Sequence, residues 1–390
     1  MINFPPFLKN LYLRFYEYPL FIQIALIVSA ISFATFLLTN LVISLQRVEY
    51  TSLETRLVKL RKIVTGEITF KLMLKDRVKD QDIDGVVRRF NKIALTNKLA
   101  RQVVTEELIY LRRNFSGYTA TVLDKLYNRL NFMKSSSSKL ESSSWDVQAE
   151  GLREFQELPV SNDDIALINP MLNDKNNDVR IEAQGAYIRL NRDNPFKFLD
   201  SATEELLEWH QFILFEIIVN TPRADIPAFS KWLHSDNMSV ITFSIKLIVH
   251  YQQLKAIPNI IKLLDHNDDN VKDAAIYALG ELGAEESEQK LIEIFQESAL
   301  PIKIKILEAI GSIASGKSES FLTDQYIMAE DFSLIKTAGC ALGNQPGFDE
   351  DKFSARHTLP LKQKTILKHC LNSLIRNLAT KEHGTGKSGV

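Results

Sequence analysis

The sequence predicts an all-α protein in which one membrane-spanning helix precedes an α-solenoid, a stack of helical hairpins. Two observations lead to this prediction. The first is a sequence repeat with a period of 31 residues, in which Val271 aligns with Ile302 and Gly280 aligns with Gly311. A period of this length, with two helix-length apolar patterns per unit, is typical of stacked helical repeats. The second is the uncharged stretch 19–46, which is long enough to cross a bilayer as a helix.

The repeat pattern extends from Trp145 to about residue 347. In each unit, the last large apolar residue of the second helix lies seven positions before the first helix of the next unit. These pairs are Leu172 and Val179, Leu233 and Val240, Leu264 and Val271, and Phe295 and Ile302. Asp and Asn residues, at 177–178, 236–237 and 268–270, precede the first helices and are expected to cap them by accepting hydrogen bonds from free backbone amides. The unit near 206–233 is the least regular.

Residues 19–46 contain no charged side chain, and Phe15, Tyr16 and Tyr18 lie just before them. Aromatic residues of this kind are common at the interfacial ends of membrane helices. A cleaved signal peptide would have an apolar core of only about 7–15 residues, followed by a small-residue cleavage site. The length of the stretch therefore favours a membrane anchor over a signal peptide.

Charge is unevenly distributed along the chain. Residues 47–133 contain 18 Lys or Arg and 10 Asp or Glu, whereas residues 134–390 contain 27 and 37. The basic section beside the anchor is expected to lie near anionic lipid headgroups, and no nucleic acid partner is expected. Because Lys and Arg are also more frequent just after the span than before it, the positive-inside rule places the C-terminal body in the cytoplasm. A periplasmic body is the alternative.

Composition divides the chain into seven segments. In order, they are an N-terminal flank (1–18), a transmembrane helix (19–46), a basic helical juxtamembrane region (47–133), a Ser-rich linker (134–144), helical repeats (145–347), a C-terminal capping-helix region (348–379) and a disordered tail (380–390). The Ser-rich segment has no apolar face to bury, which makes it the clearest domain boundary. An amphipathic helix within 360–378 is expected to cover the last apolar face of the stack.

Several repeat residues resemble the short bacterial HEAT repeat, whose pattern is an Asp/Asn turn, then Val with Arg or Lys, two small residues and Ala-Leu-Gly. Residues 269–280 match it best, and residues 178–186 and 341–343 match it in part. One N-terminal membrane helix, residues 114–120 and Trp145 together form a layout similar to that of membrane-anchored HEAT proteins of Bacteroidetes-type bacteria. The resemblance implies a protein-binding scaffold near envelope or polysaccharide-synthesis machinery, such as a membrane glycosyltransferase.

Residues 311–318 match the phosphate-binding pattern G-x-x-x-x-G-K-S/T. A working P-loop connects a strand to a helix, so that free amides converge on phosphate. The preceding residues, 302–310, instead have the pattern of a repeat helix. We therefore predict that Gly311 lets two helices pack closely, and that Gly316 adopts a left-handed conformation near a helix end.

No catalytic, cofactor-binding or metal-binding residue is predicted. The seven histidines are scattered without metal-ligand spacing. Cys340 and Cys370 lie in apolar helical patterns and are expected to be core residues rather than a disulfide framework. The chain is therefore predicted not to be an enzyme and to need no cofactor.

Equivalent positions of successive second helices carry Lys231, Lys262 and Glu293, each 31 residues from the next. Equivalent positions form a ridge along a solenoid, so these three side chains are the predicted partner-binding residues, with a solvated ridge as the alternative. Trp232 is expected to be buried, whereas Trp209 fits either the core or the surface.

The predicted function is a single-pass scaffold of the bacterial inner membrane that binds protein partners along its repeats and contacts the bilayer through residues 19–46. Confinement to the membrane raises the effective concentration near membrane partners, so modest contacts are enough. The alternative is a regulatory or lyase-like subunit of an enzyme that uses a pocket on the repeats.

Overall fold

A computed structural model describes residue 15 and residues 18–94, 98–157, 165–191, 193–221 and 225–372. These residues form helices and turns, and none of them lies in a β-strand. The predicted all-α fold is therefore confirmed. The chain divides into two compact units, one of residues 1–136 with 157–159 and one of residues 137–156 with 160–390. The predicted tail, 380–390, and most of the N-terminal flank lie outside the described residues.

The α-helices are numbered in chain order. They are α1 (Leu20–Ile68), α2 (Asp80–Ala94), α3 (Lys98–Asn114), α4 (Tyr118–Arg129), α5 (Phe132–Leu140), α6 (Trp145–Glu157), α7 (Asn177–Leu190), α8 (Glu208–Asn220), α9 (Met238–His250), α10 (Ile257–Lys262), α11 (Asp269–Glu281), α12 (Glu288–Glu297), α13 (Leu300–Ile313), α14 (Glu319–Met328), α15 (Phe332–Gly343), α16 (Glu350–Arg356) and α17 (Leu361–Leu371). A π-helical turn, Thr69–Met73, follows α1. Short 3-10 helices lie at Asn169–Met171, Lys197–Asp200, Phe229–His234, Leu254–Ala256, Leu263–Asp265 and Glu285–Ser287.

The first unit is built on α1, a single helix of 49 residues. Its segment Leu20–Leu45 is long and apolar enough to cross a membrane, and none of it is buried against other described residues. This segment coincides with the predicted span 19–46. The helix then continues without a break to Ile68, so the apolar segment and the polar part of α1 form one rod.

The basic region after the apolar segment is helical, as predicted. Helix α1 packs on α2 and α3, and α4 packs on the same two helices. Val64, Phe90 and Val104 are fully buried in this small core. On its surface, the Arg61 guanidinium lies 2.9 Å from the Glu106 carboxylate and ties α1 to α3. The first unit therefore has its own core.

The Ser-rich segment differs from the prediction of a linker. Residues 134–140 belong to helix α5. The hydroxyls of Tyr127 and Ser136 share a hydrogen bond of 2.9 Å, and the Leu140 side chain is buried. Because the polar side chain finds a buried partner, this helix does not need a continuous apolar face. The boundary between the two units does fall in this segment, between Ser136 and Ser137.

In the second unit, the first helices of successive repeats form a ladder. Helices α9, α11, α13, α15 and α17 each pack against the next one, and second helices such as α12 and α14 pack beside them. The predicted stack of helical hairpins is thus confirmed. The predicted capping helix, α17, continues the ladder in the position of another first helix, although the sequence pattern fades after residue 347.

Small residues set the spacing of this ladder. A Cβ atom added to Gly280 would lie 2.9 Å from the Cα atom of Ala309, and one added to Gly311 would lie 2.9 Å from the Cα atom of Ala341. Backbones at this separation leave no room for a side chain. This close approach explains why glycine returns at the interval of the repeat, as predicted for Gly311.

Side-chain caps begin four helices of the repeats, whereas α8 and α13 begin without one. Asn176, Asn237, Asp268 and Asp331 accept hydrogen bonds from backbone amides in the first turns of α7, α9, α11 and α15. Each cap satisfies donors that a helix leaves free at its start. The predicted caps at 236–237 and 268–270 include the observed ones, whereas the predicted cap at 177–178 is one residue late.

The prediction that the two cysteines are separate core residues is wrong. Cys340 of α15 and Cys370 of α17 are joined by a disulfide, with their Cα atoms 4.8 Å apart. Their apolar patterns lie in different helices and therefore predict two separate core residues. Their separation of 30 residues is close to the repeat period, so stacking brings equivalent positions of two first helices together.

Candidate functional site

A groove of about 1150 Å³ crosses three successive units of the repeat array. Its walls are the chain after the 3-10 helix Lys197–Asp200 and the first turns of α8, α9 and α11. Six carboxylates line it, those of Asp200, Glu205, Glu208, Asp236, Asp268 and Asp273. They face Lys246 and the imidazole of His234. We call this surface the acidic groove.

Hydrogen bonds between neighbouring units hold the walls of the acidic groove in place. The Asn237 side chain caps α9 and also donates from Nδ2 to the carbonyl oxygens of Ala202 at 3.1 Å and Glu204 at 3.0 Å. The Ser239 hydroxyl accepts a hydrogen bond of 2.8 Å from the backbone amide of Leu206. The groove is therefore preformed, because its loops are tied to a helix of the next unit.

The cationic side chain in the groove is already engaged. The Lys246 ammonium donates to Gln211 Oε1 at 2.9 Å, and Gln211 Nε2 donates in turn to the Leu206 carbonyl at 2.8 Å. On the opposite side, Asp273 forms an ion pair with Lys305 through one oxygen. The other oxygen of Asp273 is buried and has no hydrogen-bond partner among the described residues. The groove thus presents a negative surface, while this Asp273 oxygen lies beneath it and is closed to a bound partner.

Two exposed aromatic rings lie on the helix that forms one wall of the groove. Trp209 and Phe212 of α8 are 65% and 54% exposed, and their rings stack with centroids 5.5 Å apart. They are sequence neighbours of Glu208 and Gln211, which line the groove. Large exposed aromatic side chains are typical anchors of protein interfaces. The structure places Trp209 on the surface, whereas Trp232 is 4% exposed and belongs to the core as predicted.

The three predicted partner-binding residues lie on second-helix elements and are exposed. Lys231 pairs with Asp200 at 3.5 Å, and its ammonium lies 3.9 Å from the centroid of the Trp232 ring. Lys231 therefore adjoins the acidic groove through a residue that lines it. Lys262 ends α10, and Glu293 on α12 accepts a hydrogen bond of 3.3 Å from its own helix. The ridge stays a prediction, since nothing in the structure shows a partner on it.

The P-loop-like residues 311–318 have structural roles. Gly311 is part of helix α13 and packs against α15, and Gly316 has a left-handed backbone with φ +85°, as predicted. The Lys317 ammonium lies 2.8 Å from Glu285, and the buried Ser318 hydroxyl donates to Glu288. No strand precedes this segment among the described residues, so its amides do not converge as in a phosphate-binding loop.

The described residues offer few candidates for metal binding or acid–base chemistry. Among the described residues, no three His, Cys, Asp or Glu side chains come close enough together to hold a metal ion. Burial, together with the positive charge of Arg180, lowers the pKa of His210, which is 3% exposed. A neutral buried imidazole of this kind has a structural role unless a substrate site reaches it. Arg180 and His210 were not singled out in the sequence, because nothing local predicts that they are buried.

The acidic groove itself was missed at the sequence level, although one signal pointed to it. Clusters of Asp and Asn recur before the first helices, where their local pattern predicts only caps. Stacking brings the clusters at 200–208, 236–237 and 268–273 to one side of the array. A property repeated at the period of a solenoid predicts a continuous surface as well as a local cap.

Comparison with known proteins supports the repeat assignment. Residues 226–311 match the family model of HEAT repeats. No curated protein matches the sequence. Solved structures that match the chain include YibA of Escherichia coli, at 14% identity over 69% of this chain and 98% of that chain, with a TM-score of 0.36. They also include an engineered protein, at 13% identity over 80% and 99%, with a TM-score of 0.34.

A further similar structure is the complex of CpcE and CpcF of phycocyanin lyase from Nostoc, at 14% identity over 69% of this chain and 94% of that chain, with a TM-score of 0.23. TM-scores this low mean that the backbones superpose poorly as wholes. No function is carried over from these structures.

Proposed function

Because residues 226–311 carry HEAT repeats, we propose that the chain is a membrane-anchored scaffold that binds protein partners along its repeat array. The observation that best supports this proposal is the acidic groove, which spans several repeats and lies beside exposed aromatic rings. HEAT repeats suggest protein interaction in general. The apolar helix Leu20–Leu45 supports anchoring in a membrane, and we assign it to the bacterial inner membrane.

The mechanism we propose is tethering. A scaffold held at the membrane meets membrane partners at a raised effective concentration, so weak contacts along a groove give useful occupancy. The partner segment in the acidic groove would carry Lys or Arg, because a surface lined by six carboxylates attracts cations and disfavours anions. In line with the family resemblance, the partner would belong to envelope or polysaccharide-synthesis machinery, such as a membrane glycosyltransferase. The chain itself would do no catalysis.

The main experiment is partner capture from cells with charge-reversed variants. Glu205→Lys, Glu208→Lys and Asp236→Lys, combined in one chain, should abolish stoichiometric capture of a membrane protein after gentle solubilisation and crosslinking. A matched control reverses Glu281, Glu297 and Glu308, which are also exposed but do not line the groove. Equal capture by both variants would refute the groove as the contact surface, and absence of any stoichiometric partner would refute the scaffold.

The ridge needs a separate variant. Lys231→Glu with Lys262→Glu should weaken capture if the ridge contacts the partner, and unchanged capture would exclude it. Because Lys231 already pairs with Asp200 on the rim of the groove, reversal at Lys262 alone separates the two surfaces.

Orientation is tested by the side of the membrane that the array occupies. We propose a cytoplasmic array on the positive-inside rule, with a periplasmic array as the alternative. The disulfide between Cys340 and Cys370 favours the alternative, since disulfides persist mainly in oxidising compartments. C-terminal fusions to a reporter active only in the periplasm and to one active only in the cytoplasm should give opposite signals and decide the side.

The size of the acidic groove supports a second candidate, a regulatory or lyase-like subunit of an enzyme. Small-molecule pockets measure roughly 300–1000 Å³, so a groove of about 1150 Å³ could admit a bound molecule. This candidate predicts that a captured partner is an enzyme whose turnover changes on reconstitution with this chain. If the turnover of the partner is the same with and without the chain, the enzyme-subunit candidate is excluded and the scaffold is the candidate that stands.

A further inference from the structure

A second groove lies at the far end of the repeat ladder, between α15 and α17. It measures about 580 Å³, and its lining includes Phe332, Lys336, Leu361, Lys362, Ile366 and His369. None of the residues that line it carries a carboxylate. We call it the end groove. It shares no residue with the acidic groove, and its chemistry is opposite.

The walls of the end groove are fixed to each other. The disulfide between Cys340 and Cys370 joins the two helices near their C-terminal ends. At the other end, Gln363 of α17 donates from Nε2 to the carbonyl oxygen of Tyr326 at 3.0 Å, and the buried Tyr326 hydroxyl donates back to the Gln363 carbonyl. The disulfide thus joins α17 to α15, and the Gln363–Tyr326 pair holds α17 against α14, so both ends of this wall are fixed and binding requires little reorganisation of it.

Large apolar side chains at the groove are exposed to solvent instead of being buried in the core. Leu361 is 81% exposed and Phe332 is 54% exposed. Met328, at the end of α14, is 75% exposed, and the bond from Gln363 to Tyr326 places the start of α17 beside this end of α14. Neighbouring exposed apolar side chains of this size mark interaction surfaces more often than isolated ones do. Methionine adds a side chain that adapts to the shape of a partner.

Positive charge borders this apolar surface. Lys362 is the lysine of α17 in the lining, and the helix contains no Asp or Glu. Across the groove, α15 contributes Lys336, while the Lys362 ammonium lies 5.9 Å from the centroid of the Phe332 ring. An apolar floor with lysines on both rims fits a ligand with an apolar stripe flanked by carboxylates.

We propose that the end groove docks an amphipathic helix of a protein partner, with two or three apolar side chains facing Phe332 and Leu361 and with Asp or Glu at its flanks. The proposal rests on the proposed scaffold function and adds a second binding mode to it. The lining of α17 runs from Leu361 to His369, a length of about 12 Å, which corresponds to roughly two turns of a docked helix. An amphipathic helix laid in an apolar groove is a recurrent mode of peptide recognition.

The test uses the full chain in nanodiscs and a displayed library of helical peptides of about 16 residues, in which apolar and charged positions vary. We expect enrichment of peptides with apolar residues at i, i+3 or i+4 and i+7 and with Asp or Glu beside them. Phe332→Ala with Leu361→Ala should weaken their binding about tenfold or more, measured by fluorescence anisotropy. Leu254→Ala, at another exposed leucine of the array, is the matched control and should leave binding unchanged.

Charge reversal distinguishes specific recognition from nonspecific hydrophobic binding. Lys336→Glu with Lys362→Glu should abolish binding of the acidic peptides and retain the circular dichroism spectrum of the parent chain. The proposal is overturned if no peptide is enriched, if enriched peptides bind the Phe332/Leu361 variant equally well, or if their flanks are basic. It is also overturned if anionic vesicles compete fully for the groove, which would identify a lipid surface as the ligand.

The outcome is independent of the acidic groove. If charge reversal at Glu205, Glu208 and Asp236 abolishes capture of a cellular partner while no helical peptide binds the end groove, the scaffold stands and this inference fails. If peptides bind the end groove but no partner is captured from cells, the groove is a peptide-binding site and the scaffold function fails.

Discussion

The early repeats (165–251) and the late repeats (269–343) pack their helices in different ways. In the early repeats, the ring of Phe229 lies 5.0 Å from that of Phe196, 5.8 Å from that of Trp232 and 5.7 Å from that of Tyr251, by ring centroids. Large side chains therefore fill the space between helices. In the late repeats, glycine and alanine let the helix backbones touch.

The early repeats bury more polar side chains than the late repeats, where Ser287, Glu288 and Ser318 are buried. Arg180 is 3% exposed and donates to the Glu205 carbonyl at 3.2 Å, and Gln184 donates to the Leu172 carbonyl at 2.9 Å. Such groups must find partners in nearby loops, which constrains each loop individually. Contacts between backbones impose no such individual constraint and repeat at a fixed interval. This difference in packing explains why the 31-residue sequence repeat is clear in the late repeats and weak in the early ones.

The largest expected effect tests the aromatic packing of the early repeats. Phe229→Ala removes a fully buried ring and should lower the free energy of unfolding by about 3–5 kcal/mol, through lost burial and a cavity. Hydrogen–deuterium exchange of peptides from residues 226–251 in the intact chain measures this loss locally. Phe212→Ala, at an exposed ring of α8, should stay within about 0.5 kcal/mol of the parent chain. Equal losses in the two variants would contradict the assignment of Phe229 to the core.

A smaller effect tests the backbone contacts of the late repeats. Gly311→Ala places a Cβ atom 2.9 Å from the Ala341 Cα atom and should lower the free energy of unfolding by about 1–3 kcal/mol, although alanine favours a helix. Gly185→Ala, in the early repeats, meets the end of the Ile217 side chain, which can move. That variant should stay within about 1 kcal/mol of the parent chain. Similar losses in both would show that the two halves pack alike.

Alkaline titration tests the late repeats further. Burial raises the pKa of Tyr326 to about 12, from an ordinary value of 10. The folded state therefore favours the neutral phenol, and this contribution to stability is full below pH 10 and lost as the pH rises from 10 to about 12. Thermal melts between pH 9 and 12 should show this loss in the parent chain and in Tyr110→Phe, at an exposed tyrosine. Tyr326→Phe should reduce the loss, and part should remain because burial also raises the pKa of Tyr187 and Tyr277. An undiminished loss in Tyr326→Phe would assign it to other groups.

Acid titration tests the buried polar groups of the early repeats and has the smallest expected effect. Burial and the Arg180 charge lower the pKa of His210, although Asp178 opposes them. The contribution of the neutral imidazole is present above pH 6.5 and is lost as the pH falls through the lowered pKa. His210→Gln should reduce this loss in melts between pH 7.5 and 5, and an undiminished loss would contradict the assignment to His210. Part of the loss should remain, because burial also lowers the pKa of His250.

The parts of the fold that sequence reasoning found are those governed by local or periodic chemistry. An apolar run such as Leu20–Leu45 shows its character in one stretch. The glycines at 280 and 311 repeat at the period of the stack, and Asp268 caps the helix that directly follows it. Each of these signals depends on a residue and its neighbours along the chain.

The parts that sequence reasoning missed depend on contacts between distant residues. The Ser-rich segment looks like a linker until Tyr127 supplies a buried partner for Ser136. Cys340 and Cys370 look unrelated until stacking of α15 and α17 brings them together. The carboxylates of the acidic groove come from three units, and no one unit reveals the surface.

By itself, the sequence determined the all-α class, the apolar span, the repeat and its close-packing glycines, because helix periodicity and hydrophobicity are encoded over a few turns. Only the tertiary structure decided which polar side chains are buried, which cysteines meet and where two grooves of opposite chemistry open. The physical reason is that these features depend on how one hairpin is offset and rotated against the next, and that offset is set by the packing of whole helices.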